Sequence, residues 1–243
     1  MTGAGPMIVG VSLKAYFGHA QTLAWAEGVA ELASKPAIAD GSVELFVIPS
    51  FPELAEVGRI LDGTPIRLGA QDVFWEDSGP YTGEVTADQL AELGVSLVEI
   101  GHAERRRLFA ETDEVVAAKC AAASRSGIQP LLCIGERSRG TEREAVAECA
   151  AQLAAAHAPD ALAAWEPVWA IGADRPAEAE YIRAVCDGLG ESLDGRRLIY
   201  GGSAGPGLIG ELARSVDGLF LGRFAHDVGA LADVIDEAAA ARQ

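Results

Sequence analysis

Three side chains in this sequence stand where proton-transfer chemistry would need them. Glu166 closes the apolar run that ends in Ala164-Trp165 and precedes Pro167, so its carboxylate emerges at a strand end with restricted access to water. Such burial raises a carboxyl pKa toward that of a useful general base. His102 follows Ile100-Gly101 and opens Ala103-Glu104-Arg105-Arg106-Arg107. A helix beginning there favours the neutral imidazole, a hydrogen-bonding electrophile. Lys14, after Ser12-Leu13, would set a fixed positive charge beside a developing oxyanion. Each also has a plainer reading: a surface ion-pair partner for Glu166, a structural ring for His102, and a lysine that extends to water for Lys14. Cys133 reads as a buried small hydrophobe, and Glu104 with Arg105 to Arg107 as an exposed ion-pair cluster.

Glycine supplies a second kind of signal. Tyr200-Gly201-Gly202-Ser203 ends one apolar run, Gly205 and Gly207 follow, and Gly218 and Gly222 bracket the next, with Arg223 behind. Bare amide groups in such loops, near a helix N-terminus, can cradle a phosphate without net positive charge. The alternative is that these glycines only make tight turns.

These residues need a frame that brings them to one place. Eight short apolar runs predict strands: Ile8–Leu13, Val43–Pro49, Ile66–Gln71, Ser96–Gly101, Gln129–Gly135, Leu162–Pro167, Arg197–Gly202 and Gly218–Gly222. Most lack polar alternation, as strands buried on both faces of a parallel sheet do. Between them, Gln21–Ser34, Glu114–Arg125, Glu142–His157, Glu178–Leu189 and Val228–Ala241 read as helices, and a further one lies near Leu208–Arg214. Asp113 and Thr141 stand at N-cap positions and Gly127 at a helix stop. Strict alternation at about thirty residues per unit predicts a (β/α)8 TIM barrel, a single domain over residues 1–243, with an open doubly wound sheet as the alternative. In such a barrel reactive groups gather at the C-terminal strand ends: Lys14, His102 with Glu104, Cys133, Glu136, Glu166, Ser203, and Gly222 with Arg223. The connection 72–86 is long, and its Phe74, Trp75 and Tyr81 suggest a subunit contact.

Composition bounds the partners. The chain has 243 residues and 49% hydrophobic residues, enough for a sizeable core. Its 36 Asp and Glu against 19 Lys and Arg give a net charge of −17, which disfavours nucleic acid and anionic membrane as partners. The four cysteines are widely spaced, fitting neither a disulfide framework nor a zinc site, and imply reduced thiols in a cytoplasmic protein. No signal peptide is evident in the opening residues, and no apolar run has the roughly 18 residues of a membrane helix.

Several strings, in order along the chain, resemble the triosephosphate isomerase family: Gly69-Ala70-Gln71, Tyr81-Thr82-Gly83-Glu84, Ile100-Gly101-His102-Ala103-Glu104-Arg105-Arg106, Cys133-Ile134-Gly135-Glu136, Trp165-Glu166-Pro167-Val168-Trp169-Ala170-Ile171-Gly172 and Tyr200-Gly201-Gly202-Ser203. The resemblance implies an aldose–ketose type isomerase that moves a proton between adjacent carbons through an enediolate. It implies Glu166 as base, His102 as neutral electrophile, Lys14 as electrostatic stabiliser and Glu104 as its supporting carboxylate. A lid over 167–177, with Gly172 and Ser203 donating to phosphate, is implied as well, and no metal or organic cofactor. Loop 72–86 is similar to the family's dimer loop, with Thr82 reaching the neighbouring site of a homodimer.

The departures fall in the substrate shell. Ser12 replaces an Asn, Ala103 a Ser, Gly222-Arg223 a Gly-Gly pair, and Gly172-Ala173-Asp174-Arg175-Pro176 makes a stiffer lid that carries an acid. A shorter side chain at position 12 leaves room for one extra hydroxymethyl group. The substrate expected is therefore a three-carbon phosphate, dihydroxyacetone phosphate or glyceraldehyde 3-phosphate, or a four-carbon erythrulose phosphate. Arg223 would bind the phosphate directly or turn outward to Asp227. Two other readings are a non-catalytic barrel that binds phospho-metabolites as sensor or scaffold, and an isomerase or aldolase using a Schiff base on Lys14.

Overall fold

Residues of alternating parity along each apolar run turn to opposite sides, and that parity decides what meets at the centre of the molecule. A computed structural model describes residues 5–173 and 176–241. Eight parallel strands, β1 (Met7–Ser12), β2 (Val43–Ile48), β3 (Arg67–Ala70), β4 (Leu97–Ile100), β5 (Gln129–Ile134), β6 (Leu162–Trp165), β7 (Leu198–Tyr200) and β8 (Gly218–Leu221), pair in sequence order. β1 pairs with β8, Val11 opposite Leu221, so the sheet closes into a barrel and the open-sheet alternative falls. All eight predicted runs are strands, mostly a residue or two shorter at their ends.

Ten α-helices surround the barrel among the described residues: α1 (His19–Glu31), α2 (Pro36–Ala39), α3 (Leu54–Leu61), α4 (Ala87–Glu92), α5 (Ala103–Leu108), α6 (Asp113–Arg125), α7 (Glu142–Ala156), α8 (Ala179–Gly188), α9 (Leu208–Leu212) and α10 (Val228–Ala241). Thr141 caps α7 in a capping box with Glu144. The cap of α6 is Thr112, whose side chain accepts from Val115 N–H, and not Asp113, which is the first helical residue. Both have cap-forming oxygens; the acid one position in gains instead from the positive end of the helix dipole. No helix among the described residues is long and apolar enough to cross a membrane.

The barrel interior is a small apolar plug separate from the larger helix–sheet core. Ile8, Phe46, Ile48, Leu97, Leu131 and Phe220 are among its members. Gly10 is part of this packing, since a Cβ there would lie 2.0 Å from the Phe46 ring. One parity step above this plug, toward the C-terminal strand ends, the inward positions are Ser12, Glu99 and Glu166, with Cys133 at the plug's upper edge. The fold thus delivers a polar layer onto an apolar floor.

Loop 72–86 is pinned by a buried charge network. Lys119 bonds Asp72 at 2.7 Å and Glu111 at 2.5 Å, and Arg105 bonds the same two acids at 2.8 and 2.6 Å. Arg106 bonds Asp113 and the Gly101 carbonyl. Arg105 and Arg106 are therefore half-buried partners of this network rather than part of the exposed cluster expected, while Arg107 is exposed. Phe74 is buried beneath Trp75 and Tyr81, which are each 38% exposed. The four cysteines are free and buried.

Candidate active site

Glu166 follows the last residue of β6, and its N–H still bonds the Ile134 carbonyl at 2.8 Å, so the carboxylate is delivered rigidly to the barrel mouth. Gly201 makes room for it: a Cβ there would lie 2.5 Å from Glu166 Cγ. His102 caps α5 with its ring, Nδ1 accepting the Glu104 N–H at 3.2 Å. That bond needs a lone pair on Nδ1 and places the proton of the neutral ring on Nε2, which lies 3.4 Å from Glu166 Oε2. Nε2 and Glu166 Oε1 are both buried without a hydrogen-bond partner among the described residues. These two buried polar atoms at a strand mouth are free to hydrogen-bond a ligand.

Lys14 bonds Glu104 at 3.1 Å and sits in the left-handed region, φ +49°. Its carbonyl accepts from Gln71 Nε2 at 2.8 Å, which helps hold that conformation. Ser203, at φ +53°, is the second non-glycine residue of the site held there. Such conformations cost about 1–3 kcal/mol each and persist where the surroundings over-determine them.

The charges of the cluster bias one another. Burial opposes ionisation of Glu166, but the His102 ring and the Lys14 ammonium outweigh it and hold the carboxyl below its usual range. The expectation of a raised Glu166 pKa is thus reversed in the empty site by its cationic neighbours. Burial likewise opposes charge on Lys14, and Glu166, Glu104 and Glu99 raise its pKa overall. For His102, burial favours the neutral ring, while Glu166 and Glu99 pull its pKa up to about 9. The Nδ1 bond resists that pull, because imidazolium has no lone pair to offer the Glu104 N–H. Once Glu166 accepts a proton the chief attraction disappears, and the neutral ring is the form that remains.

A cavity of about 430 Å³ opens above these groups, lined by Ser12, Lys14, Glu104, Glu166, Gly172, Ser203, Gly222 and Arg223 among others. The structure thus brings the candidate residues around one space, with His102 in contact beneath it. The N–H groups of Gly172, Ser203 and Gly222 have no acceptor among the described residues. Ser203 Oγ shares its proton between the carbonyls of Ala170 at 2.8 Å and Ala173 at 3.0 Å. Arg223 donates to the Gly172 carbonyl at 3.2 Å and forms no pair with Asp227, whose Oδ1 accepts the Ala230 N–H instead. Asp174 and Arg175, the acid and its neighbour in the expected lid, lie outside the described residues.

Glu136 anchors the start of that segment. Its carboxylate accepts from Trp165 Nε1, Trp169 Nε1 and the Tyr181 hydroxyl at 3.0, 2.8 and 3.0 Å. Glu136→Ala would orphan three buried donors, each at about 1–3 kcal/mol. We expect a melting temperature lower by at least about 6 °C in calorimetry; an unchanged melting point would show that the three donors find other acceptors.

Glu99, Tyr16, Arg107 and Phe224 are site residues the strand-end reading missed. Tyr16, Arg107 and Phe224 line the cavity, and Glu99 is buried next to its lining residue Ser12. Glu99 had a signal: it is the one charged residue in the run Leu97-Val98-Glu99-Ile100, at the same inward parity as Leu97.

A family model described as triosephosphate isomerase matches residues 7–238. The chain is 49% identical to an L-erythrulose-1-phosphate isomerase of Pectobacterium atrosepticum, over 96% of this chain and 95% of that one. It is 39% identical to an enzyme of the same description from Mycolicibacterium smegmatis, over 98% and 95% of the two chains. A triosephosphate isomerase of Leifsonia xyli subsp. xyli is also 39% identical, over 95% and 96%. With the family model spanning nearly the whole barrel and its strand-end residues gathered at one cavity, the chain belongs to the triosephosphate isomerase family.

Proposed function

We propose that this protein isomerises a four-carbon ketose phosphate, L-erythrulose 1-phosphate, by moving its carbonyl from C2 to C3 through an enediolate. The observation that carries the chemistry is the convergence of the Glu166 carboxylate, His102 Nε2 and the Lys14 ammonium on one cavity. The four-carbon choice rests on the names of the more similar relatives and on the short side chain of Ser12.

Glu166 takes the proton from C3, and the electron pair left behind forms the C2–C3 double bond of the enediolate. His102 Nε2–H hydrogen-bonds the oxygens on C2 and C3, and Lys14 stabilises the negative charge that develops there. The hydroxyl proton on O3 passes to O2 along the oxygens that His102 bridges, Glu166 returns its proton to C2, and the carbonyl re-forms at C3, two carbons from the phosphate-bearing end. The same steps on dihydroxyacetone phosphate would give an aldose. The free amides of Gly172, Ser203 and Gly222, with Arg223, hold the phosphate. Glu104 keeps Lys14 placed and protonated, and a protonated amine cannot attack a carbonyl, which counts against Schiff-base chemistry.

Coupled turnover with dihydroxyacetone phosphate and both erythrulose phosphate enantiomers tests this reading. We expect kcat/KM for L-erythrulose 1-phosphate to exceed that for dihydroxyacetone phosphate by about tenfold or more, the scale of one well-accommodated carbon group. The reverse preference would make this a three-carbon enzyme, and activity on none would remove the isomerase reading. We further infer a cytoplasmic homodimer in which Thr82 of loop 72–86 reaches the partner's site. The exposed Trp75 and Tyr81 and the free thiols support this; a solution mass of one 25.2 kDa chain would overturn the dimer.

A further inference from the structure

We propose that Glu99 selects the four-carbon substrate: its carboxyl group, held by Ser12, hydrogen-bonds the hydroxyl of the hydroxymethyl group by which a four-carbon ketose phosphate exceeds a three-carbon one. This rests on the isomerase reading above and adds to it the group that reads C4.

The case begins with where the residue lies. The inward positions below the site are apolar, and Glu99 is only 3% exposed, one parity step above Leu97. A carboxyl group in such a place is costly unless something uses it. Ser12 Oγ donates to Glu99 Oε2 at 2.9 Å, which is the side chain's one hydrogen bond among the described residues. Oε1 is left facing His102 Nε2 at 3.8 Å, too far for a hydrogen bond. Half of a buried carboxyl group is thus unused, beside the electrophile.

The closed barrel sets the direction from which this side chain approaches. β4, which carries Glu99, is four strands from β8 in a ring of eight and lies diametrically across from it. Gly222 and Arg223, which follow β8, belong to the phosphate end of the cavity. A ketose phosphate bound there, with its C2 and C3 oxygens at His102, extends its remaining carbon toward β4. Ser12, on β1 beside β8, lines the cavity, and its hydroxyl bond draws the Glu99 carboxyl from β4 to the floor of that space. Burial pushes the Glu99 carboxyl upward against the attraction of His102, which favours a protonated group able to donate as well as accept. The pairing of Ser12 with Glu99 then becomes one device: the serine leaves the space and aims the acid at its occupant.

The test compares kcat/KM for L-erythrulose 1-phosphate, its 4-deoxy analogue and dihydroxyacetone phosphate. The wild-type protein should prefer the hydroxyl-bearing substrate to the 4-deoxy analogue by about tenfold or more, the weight of one buried hydrogen bond. In Glu99→Leu that preference should vanish, with the loss on L-erythrulose 1-phosphate at least about tenfold greater than on the other two. Glu99→Gln, nearly isosteric and still able to hydrogen-bond, should restore part of the preference. Equal losses on all three substrates would mean that Glu99 acts through His102 or the fold, and would overturn the assignment. So would a preference retained in Glu99→Leu, or a wild-type protein indifferent to the 4-hydroxyl, which needs no folded variant to observe. Wild-type inactivity on all three would remove the isomerase reading itself, and this assignment with it.

Discussion

Glu166→Gln should lower kcat for L-erythrulose 1-phosphate by at least about a hundredfold, the lower range for loss of a general base. The amide has the same shape, fits the space left by Gly201, and can still meet His102 Nε2, but it cannot take a proton. KM should change little, because the amides after β6, β7 and β8 proposed to hold the phosphate are untouched. The pH profile gives an independent sign. His102 and Lys14 hold Glu166 below the usual carboxylate range in the free protein. The base is therefore ionised throughout neutral pH, and its own acid limb in kcat/KM should lie at that lowered value. A near-normal kcat in the variant would take Glu166 out of the base's role, and an acid limb above the usual carboxylate range would contradict the electrostatics of the cluster.

His102→Gln should cost about 10²- to 10³-fold in kcat, the range for removing one donor to a developing oxyanion. The imidazole does two jobs at once: Nδ1 caps α5 through the Glu104 N–H, and Nε2 presents a donor to the cavity. A glutamine can supply one of these and not both, so the variant also loses part of a helix cap, about 1 kcal/mol. A thermal melt measures that loss separately. If kcat and kcat/KM fall together the lost contact belongs to the transition state; a fall within threefold would leave His102 a structural cap only.

The barrel was legible because its strands are buried on both faces. Each reads as a dense run of Val, Ile and Leu, and eight runs with helices between them leave few ways to close. The strand-end chemistry was legible for the same reason, since the fold places reactive groups where the runs stop. The short helices α3, α4 and α5 were not resolved in advance: six to eight residues give barely two turns of periodicity. The arginines of α5 looked like surface charge because their partners, Asp72, Glu111 and Asp113, are remote or on the next helix. Glu99 lies inside a run rather than at its end, and its inward direction follows only once the parity of β4 is tied to the closed sheet. The direction of the Glu166 shift escaped for a related reason. Burial can be read from neighbours in sequence, whereas His102 and Lys14 come from 64 and 152 positions away.

The Ser203 hydroxyl donates to the carbonyls of Ala170 and Ala173, and one Arg223 N–H to that of Gly172. Under the proposed function the unpaired amides of Gly172, Ser203 and Gly222 would meet a phosphoryl group first, and for the Ser203 hydroxyl and that Arg223 N–H the backbone carbonyls after β6 would act as a tethered competitor. On that reading part of phosphate recognition would be an exchange of acceptors, which favours a ligand with strongly accepting, charged oxygens. A sugar lacking the phosphoryl group would leave the latch fastened. After turnover the same carbonyls recapture their donors, so the contact that screens the incoming ligand also hastens the departure of the product.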